Sequence, residues 1–439
     1  MPRLCQYTAL VESIDNYRPD QEKDVELFQR LELLDLKRNI FPLLKKVTLH
    51  PVGTEFWFPL GLRNNLVKDL SIEAPTVPRG SIRDVFRYCT MLERLVIVGS
   101  LHESDMDLLQ DHRFVYLTSL YIRLDDVRLD ESLQTILSIS HNLTDLTLIF
   151  PKRSFSATTK RGPAFKSVQT LKMDGLDPVA SNLKHFPSAS RLQSLTLTSC
   201  NSDMQSETDL NALFLALGDY NTRSPFTALV IQSGPVSPQV NVRIDLLKLS
   251  YIEHLTHLSF TASFDAKIAF PDQLGIMAWP RLRTLTLITG GFQYPAISLF
   301  DIFCLASTAP LLQSVTALVD FRMQSNPGLV SRAPDKAPPF NDDGDNKLQV
   351  PYTLREDIAQ YRTTSLRTLD FRSSFLLQYD QMFLFTILRE LAPNVGISAR
   401  MLGTLTWANQ GTRKAVMSYA KRTRPSTSDF ILFLSQRPL

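Results

Sequence analysis

A chain of 439 residues with a formal net charge of +3 and 21% charged side chains carries no field strong enough to demand a nucleic acid or an acidic lipid surface as its partner. Its length allows two or three compact domains or one elongated repeat array, and a hydrophobic content of 44% is that of a folded chain. No stretch reaches the ~18 apolar residues that a membrane-crossing helix needs. The four cysteines, Cys5, Cys89, Cys200 and Cys304, stand too far apart for a C-x-x-C motif, which fits reduced thiols in a cytoplasmic or nuclear protein.

In chain order, the first residues show no signal-peptide run, because Glu12 and Asp15 interrupt it. "DVELFQRLELLDLKR" (24–38) places Val25, Phe28, Leu31 and Leu34 or Leu36 on one helical side, so 1–42 is expected to be a helical N-terminal cap. From there a motif recurs, as in "LLKKVTL" (43–49), "NLVKDLSI" (65–72), "MLERLVI" (91–97), "YLTSLYI" (116–122) and "NLTDLTL" (142–148). Its first anchors fall at 44, 67, 92, 117, 143, 168, 192, 226, 255, 282, 312 and 366. Intervals are 23 to 26 residues as far as 192, then longer, and the last is 54.

A period in the twenties with the cadence L-x-x-L-x-L is that of a leucine-rich repeat. The last two apolar residues are two apart, so an extended strand points both to one side. Leu285 and Leu287 therefore face inward, while Thr286 and Ile288 face outward. Parallel neighbours need a crossover of a dozen or more residues, usually a helix, and the intervals leave room for one. "SIRDVFRYC" (81–89), "DESLQTILSISHN" (130–142) and "DLNALFLALGDY" (209–220) have helical periodicity, the last with Asp209 as a capping residue and a glycine near its end. The expected fold is α/β, a leucine-rich-repeat solenoid of about twelve irregular units over residues 43–376, with strands on a concave face and helices on a convex one. Residues 322–352, rich in Pro, Asp, Asn and Gly, read as a mobile insertion. Residues 377–439 read as a C-terminal helix (380–393) followed by a tail with no further repeat.

Little in the chain reads as catalytic or metal-binding chemistry. G-x-x-x-x-G-K-[ST] and G-x-S-x-G are absent. "HESDMD" (102–107) lacks the second histidine of a zinc-protease helix. His254 and His257 sit at outward positions beside Leu255 and Leu258 with no third ligand close in sequence. "NDDGDN" (341–346) lacks the spacing and closing glutamate of a calcium loop, and "KRTR" (421–424) reads as a charged surface. The expectation is a non-enzyme with no cofactor and no metal.

What remains is the exposed strand face. Its charges balance, it carries an aromatic in Tyr121, and such a mixed surface suits a protein or peptide better than a phosphate backbone. Glu73, Tyr121, Arg123, Lys172, Asp174 and Arg372 are the candidate partner-binding residues, because they offer aromatic or paired-charge contacts on a rigid scaffold.

"CTMLERLVI" (89–97) matches C-x-x-L-x-x-L-x-I, and "LTLTSC" (195–200) puts Cys200 three residues past Leu197. With "FPLLKKVTLHP" (41–51), these stretches resemble the cysteine-containing repeats of fungal F-box/leucine-rich-repeat proteins over roughly residues 24–392. That resemblance implies the substrate-binding part of a cullin ubiquitin ligase subunit, with the Skp adaptor and a cullin as further partners. Residues 1–40 contain no Leu-Pro-x-Glu start of an F-box. The alternative reading is a stand-alone leucine-rich-repeat regulator of an enzyme, of the inhibitor or GTPase-activating type.

Overall fold

The computed structural model describes residues 10–17, 41–50, 66–76, 89–100, 115–123, 141–150, 165–184, 186–200, 202–233, 242–262, 266–269, 279–289, 297–320, 330–332, 352–354, 362–370, 387, 390–392, 394–400 and 432–433. Contacts divide the chain into two compact units, Met1–Asp203 with Ala216–Phe226, and Met204–Leu215 with Thr227–Leu439.

In unit one the strands Ser13–Tyr17, Lys46–Leu49, Asp69–Thr76, Arg94–Ser100, Ser119–Arg123, Asp145–Ile149, Thr170–Asp174 and Ser194–Thr198 pair in sequence order, every pair parallel. The motif positions stack without offset. Val47, Leu70, Leu95, Leu120, Leu146, Leu171 and Leu195 are successive register partners. Leu49, Ile72, Ile97, Ile122, Leu148, Met173 and Leu197 form the second such column. Both columns are buried, as are the anchors Leu44, Val67, Leu92, Leu117, Leu143, Val168 and Leu192. Each repeat thus buries three large aliphatic side chains, at about 1.5 to 3 kcal/mol apiece, against the repeats on either side of it.

Unit two repeats the construction. Ala228–Gln232, His257–Ala262, Thr284–Thr289, Ser314–Ala317, Thr368–Asp370, Gly396–Arg400 and Leu432–Phe433 pair in that order, again parallel. Leu229, Leu258, Leu285, Val315 and Leu369 form its first inner column. Ile231, Phe260, Leu287 and Ala317 form the second, and both are buried. The fold is therefore the α/β leucine-rich repeat that the period implies.

Two backbone devices hold each rung in place. The residue three before the anchor is buried at Phe41, Cys89, Phe165, Ala189, Ile252, Trp279 and Ala309. Its carbonyl closes a turn by accepting from the anchor N–H, as in Leu44 to Phe41 (3.2 Å), Leu192 to Ala189 (3.1 Å) and Leu282 to Trp279 (3.2 Å). The carbonyl of the residue after the anchor then accepts from two successive N–H groups of the next repeat. Lys68 and Asp69 both donate to Lys45, Glu93 and Arg94 to Lys68, Arg283 and Thr284 to Thr256, and Arg367 and Thr368 to Gln313. Such pairing satisfies backbone groups that would otherwise be orphaned where the chain turns into the strand.

Helix Glu207–Arg223 contains the expected 209–220 segment but is longer. Its cap is Ser206 rather than Asp209. The Asp209 N–H donates to Ser206 Oγ (3.2 Å), and Ser206 Oγ donates to Asp209 Oδ2 (2.5 Å). A serine three residues upstream can accept from that N–H while the aspartate occupies the third helical position, which is one half of a capping box. Gly218 falls in the helix interior, since the helix continues to Arg223. Helix Leu299–Thr308 has the complete box, with the Asp301 N–H donating to Ser298 Oγ and the Ser298 N–H to Asp301 Oδ2. It buries Leu299, Ile302, Phe303, Cys304, Leu305 and Ala306, an almost wholly apolar segment whose period is hidden by its own burial.

Inside the stretch expected to be a helical cap, Ser13–Tyr17 is a strand that pairs with Lys46–Leu49. The first full repeat would otherwise present an unpaired sheet edge. The helix expected over 24–38 lies outside the described residues, as do 81–88, 130–140 and 380–386. Within the expected insertion, Val330–Arg332 pairs antiparallel with Tyr352–Leu354, and the residues between them lie outside the described set. Past residue 376 the ladder gains Gly396–Arg400, paired with Thr368–Asp370.

Candidate functional site

The two inner columns put every alternate side chain on the opposite side of the sheet. In unit one the exposed face is a grid. Its middle column is Thr48, Ser71, Val96, Tyr121, Thr147, Lys172 and Thr196, each the register partner of the next. Two residues further along each strand stand Glu73 beside Val98, and Arg123 beside Ile149, Asp174 and Thr198. Neighbouring strands lie about 4.8 Å apart, so these side chains form one surface with fixed spacing.

Tyr121 and Arg123 project from one strand, and Lys172 and Asp174 from another two steps along. Between them Thr147 and Ile149 occupy the Asp145–Ile149 strand. Tyr121 is half-buried, and its hydroxyl is pushed up from the usual tyrosine range, first by burial and then by the negative charge of Asp174. The structure thus brings Tyr121 within electrostatic reach of Asp174. Lys172 is exposed and has no ion-pair partner among the described residues. Val98, 39% exposed, continues the apolar patch of Val96 and Tyr121 toward Glu73.

Glu73 is engaged within the sheet. His50 Nδ1 lies 3.5 Å from Glu73 Oε2, and Ser71 Oγ donates to Glu73 Oε1 (3.2 Å). Asp174 is also fixed, because Ser199 Oγ donates to its Oδ1 at 2.6 Å. Gly175 follows at φ +73°, where a Cβ would run into the Phe150 carbonyl oxygen. The Gly175 N–H donates to Thr198 O (3.1 Å), and Phe150 N–H to Asp174 O (2.7 Å). The chain needs glycine there to leave the strand while holding Asp174 on the face. Arg372 lies outside the described residues.

Alternation alone puts Glu73, Tyr121, Arg123, Lys172 and Asp174 on this face, together with His50, Val98, Thr147 and Ile149, but it gives neither the His50–Glu73 contact nor the Ser199–Asp174 hydrogen bond. His254 and His257 are exposed, as their outward positions required. His257 Nδ1 shares a 2.7 Å hydrogen bond with Thr256 Oγ1. Among the described residues no group of three His, Cys, Asp or Glu side chains is placed to hold a metal ion, and no helix is long and apolar enough to cross a membrane.

Cys89, Cys200 and Cys304 are free and buried. Burial pushes the Cys89 and Cys304 thiols up to about 12 and Cys200 well above its ordinary range, with nearby carboxylates adding to the last two. Thiols held protonated in this way are poor nucleophiles. Cys89 occupies the turn-closing position three before an anchor, so its place in the motif is one of packing.

No family model matches the sequence, and no curated protein matches it. Among solved structures, the chain is similar to an LRR protein of Leptospira interrogans, at 12% identity and a TM-score of 0.40, covering 91% of this chain and 98% of that one.

Proposed function

We propose that this chain is a non-catalytic protein–protein recognition module that grips a protein or peptide on the exposed sheet face of unit one. The supporting observation is the register-locked patch in which Val96, Val98, Tyr121 and Ile149 lie between Glu73 on one side and Lys172 and Asp174 on the other. An aromatic and aliphatic centre with charged groups at its margin is the composition that binding hot spots favour. A rigid β-scaffold presents it with little ordering cost on association.

Within that reading, the partner is a ligase substrate, and the chain is the recognition part of an F-box/leucine-rich-repeat subunit acting in the cytoplasm or nucleus. The motif Cys89-x-x-Leu92-x-x-Leu95-x-Ile97 supports this assignment. Affinity capture with the full chain tests both levels. Binders that are lost on Tyr121→Ala with Lys172→Glu, and kept on Thr118→Ala, support the recognition face. Co-recovery of the Skp adaptor and a cullin supports the ligase role. Binders indifferent to the double substitution would refute the face, and recovery of binders without adaptor or cullin would refute the ligase role alone.

A further inference from the structure

The residue just after each anchor is held by the doubly accepting carbonyl ladder, so its side chain occupies the same place in every repeat, at the rim where the strands begin. In unit one the cations at the post-anchor position and the one after it are paired with neighbours, whereas Arg191, just before the anchor Leu192, and Lys166 are exposed with no ion-pair partner among the described residues. Lys45 pairs with Glu12 (3.3 Å), Lys68 with Glu93 (2.6 Å), Lys46 with Asp15 (3.2 Å) and Arg94 with Asp69 (3.9 Å). In unit two it is the post-anchor cations themselves that are unpaired. Arg283 and Arg367 occupy the same post-anchor position, Arg281 precedes the anchor Leu282, and all three are exposed. None has an ion-pair partner among the described residues. His254 precedes the neighbouring anchor and His257 follows it, both exposed, and Glu253 is the one carboxylate among these rim positions.

We propose that this rim, built on Arg281, Arg283 and Arg367, is a docking surface for a carboxylate-rich segment of a partner protein, separate from the Tyr121 face. Arg283 and Arg367 immediately precede the strands Thr284–Thr289 and Thr368–Asp370 that flank Ser314–Ala317, about 10 Å apart at two inter-strand steps. An extended peptide places alternate side chains about 7 Å apart along its own axis, so aspartate or glutamate side chains two or three residues apart reach both guanidiniums. Planar guanidiniums take carboxylates by paired N–H···O bonds. A nucleic-acid backbone is the weaker fit. It rewards a continuous cationic track, whereas here Gln313 interrupts the arginines and the whole chain carries only +3.

The probe is a fluorescein-labelled peptide of twelve glutamates, followed by anisotropy with the full chain at low and physiological salt. The expected result is binding that weakens with salt and falls by about tenfold or more in the Arg281→Gln/Arg283→Gln/Arg367→Gln variant. The Lys45→Gln/Lys68→Gln/Arg94→Gln variant removes the same formal charge from the paired rim and should change binding by less than about twofold. Equal losses in the two variants would reduce the effect to net charge and overturn the proposal. So would an unchanged affinity in the arginine variant, or tighter arginine-dependent binding of a single-stranded oligonucleotide of matched charge. All six positions are on the surface, and matching melting temperatures for the two variants exclude unfolding as the cause. Losing this binding while captured proteins still depend on Tyr121 separates the rim from the face.

Discussion

The Tyr220 hydroxyl donates to the Pro187 carbonyl oxygen at 3.0 Å, from a ring that is wholly buried. Phe186 packs edge-on against that ring at 6.5 Å, and the Arg223 guanidinium covers it at 5.3 Å while donating to the carbonyls of Phe186 and Leu183. Ser224 adds another tie by accepting from the Ala189 N–H (2.7 Å). The last turn of helix Glu207–Arg223 is thereby bolted to the segment leading into the Ser194–Thr198 strand. It supplies partners to carbonyls that have none in a regular element.

Tyr220→Phe should cost about 1 to 1.5 kcal/mol at neutral pH, by leaving the Pro187 carbonyl short of a donor. It should also flatten the alkaline limb of the stability curve. Burial raises the Tyr220 hydroxyl from the ordinary 10 to about 12. Between those values the unfolded chain gives up its proton and the folded one keeps it, so stability falls as pH rises. At about 1.4 kcal/mol per unit the loss is about 3 kcal/mol. Melting temperatures from pH 8 to 12 should fall more steeply for the parent than for the variant, and parallel curves would show that Tyr220 is not the source.

Glycine has opposite worth at two positions. Gly218 is interior to a helix, and a Cβ there meets nothing within 4 Å. Gly218→Ala should therefore stabilise by about 0.5 to 1 kcal/mol, through lower backbone entropy in the unfolded chain. Gly175 combines φ +73° with the Phe150 carbonyl in the place of a Cβ, so Gly175→Ala should destabilise by several kcal/mol, about 2 or more. Urea denaturation reads both, and equal signs would contradict the local geometry.

Much of this was legible before any coordinates. Leu285 and Leu287 announce an inward pair because a strand alternates with period two, and a constant interval near 25 residues lets Leu120, Leu146 and Leu171 stack without offset. The candidate face follows from the same alternation, which puts Tyr121, Lys172 and Asp174 on one side of the sheet. Other features depend on contacts between residues far apart in the chain. The Lys68–Glu93 pair, the Ser199–Asp174 hydrogen bond and the reach of Asp174 to Tyr121 exist only once the register is set. Helix Leu299–Thr308 is illegible in the sequence for another reason. A segment that is apolar nearly all round has no polar face to reveal its period.

The three buried thiols should be silent in the native protein. Cys89, Cys200 and Cys304 should react with an aromatic disulfide reagent only at the rate of global or local unfolding, because burial keeps each protonated. Adding denaturant should raise the labelling rate of all three steeply. Fast stoichiometric labelling of any of them in native buffer, located by peptide mapping, would show that its repeat is open.

The most direct test is a pair of neighbouring substitutions compared in one thermal melt. Leu195 is fully buried in the first inner column, and Thr196, the next residue, stands on the exposed face beside Lys172. Leu195→Asp places an unpaired carboxylate among stacked leucines and should unfold several repeats together, whereas Thr196→Asp should leave the melting temperature nearly unchanged. A large loss for the first and almost none for the second is the predicted result. Equal damage from both would mean that the sheet does not turn one side inward and leave the other free for a partner.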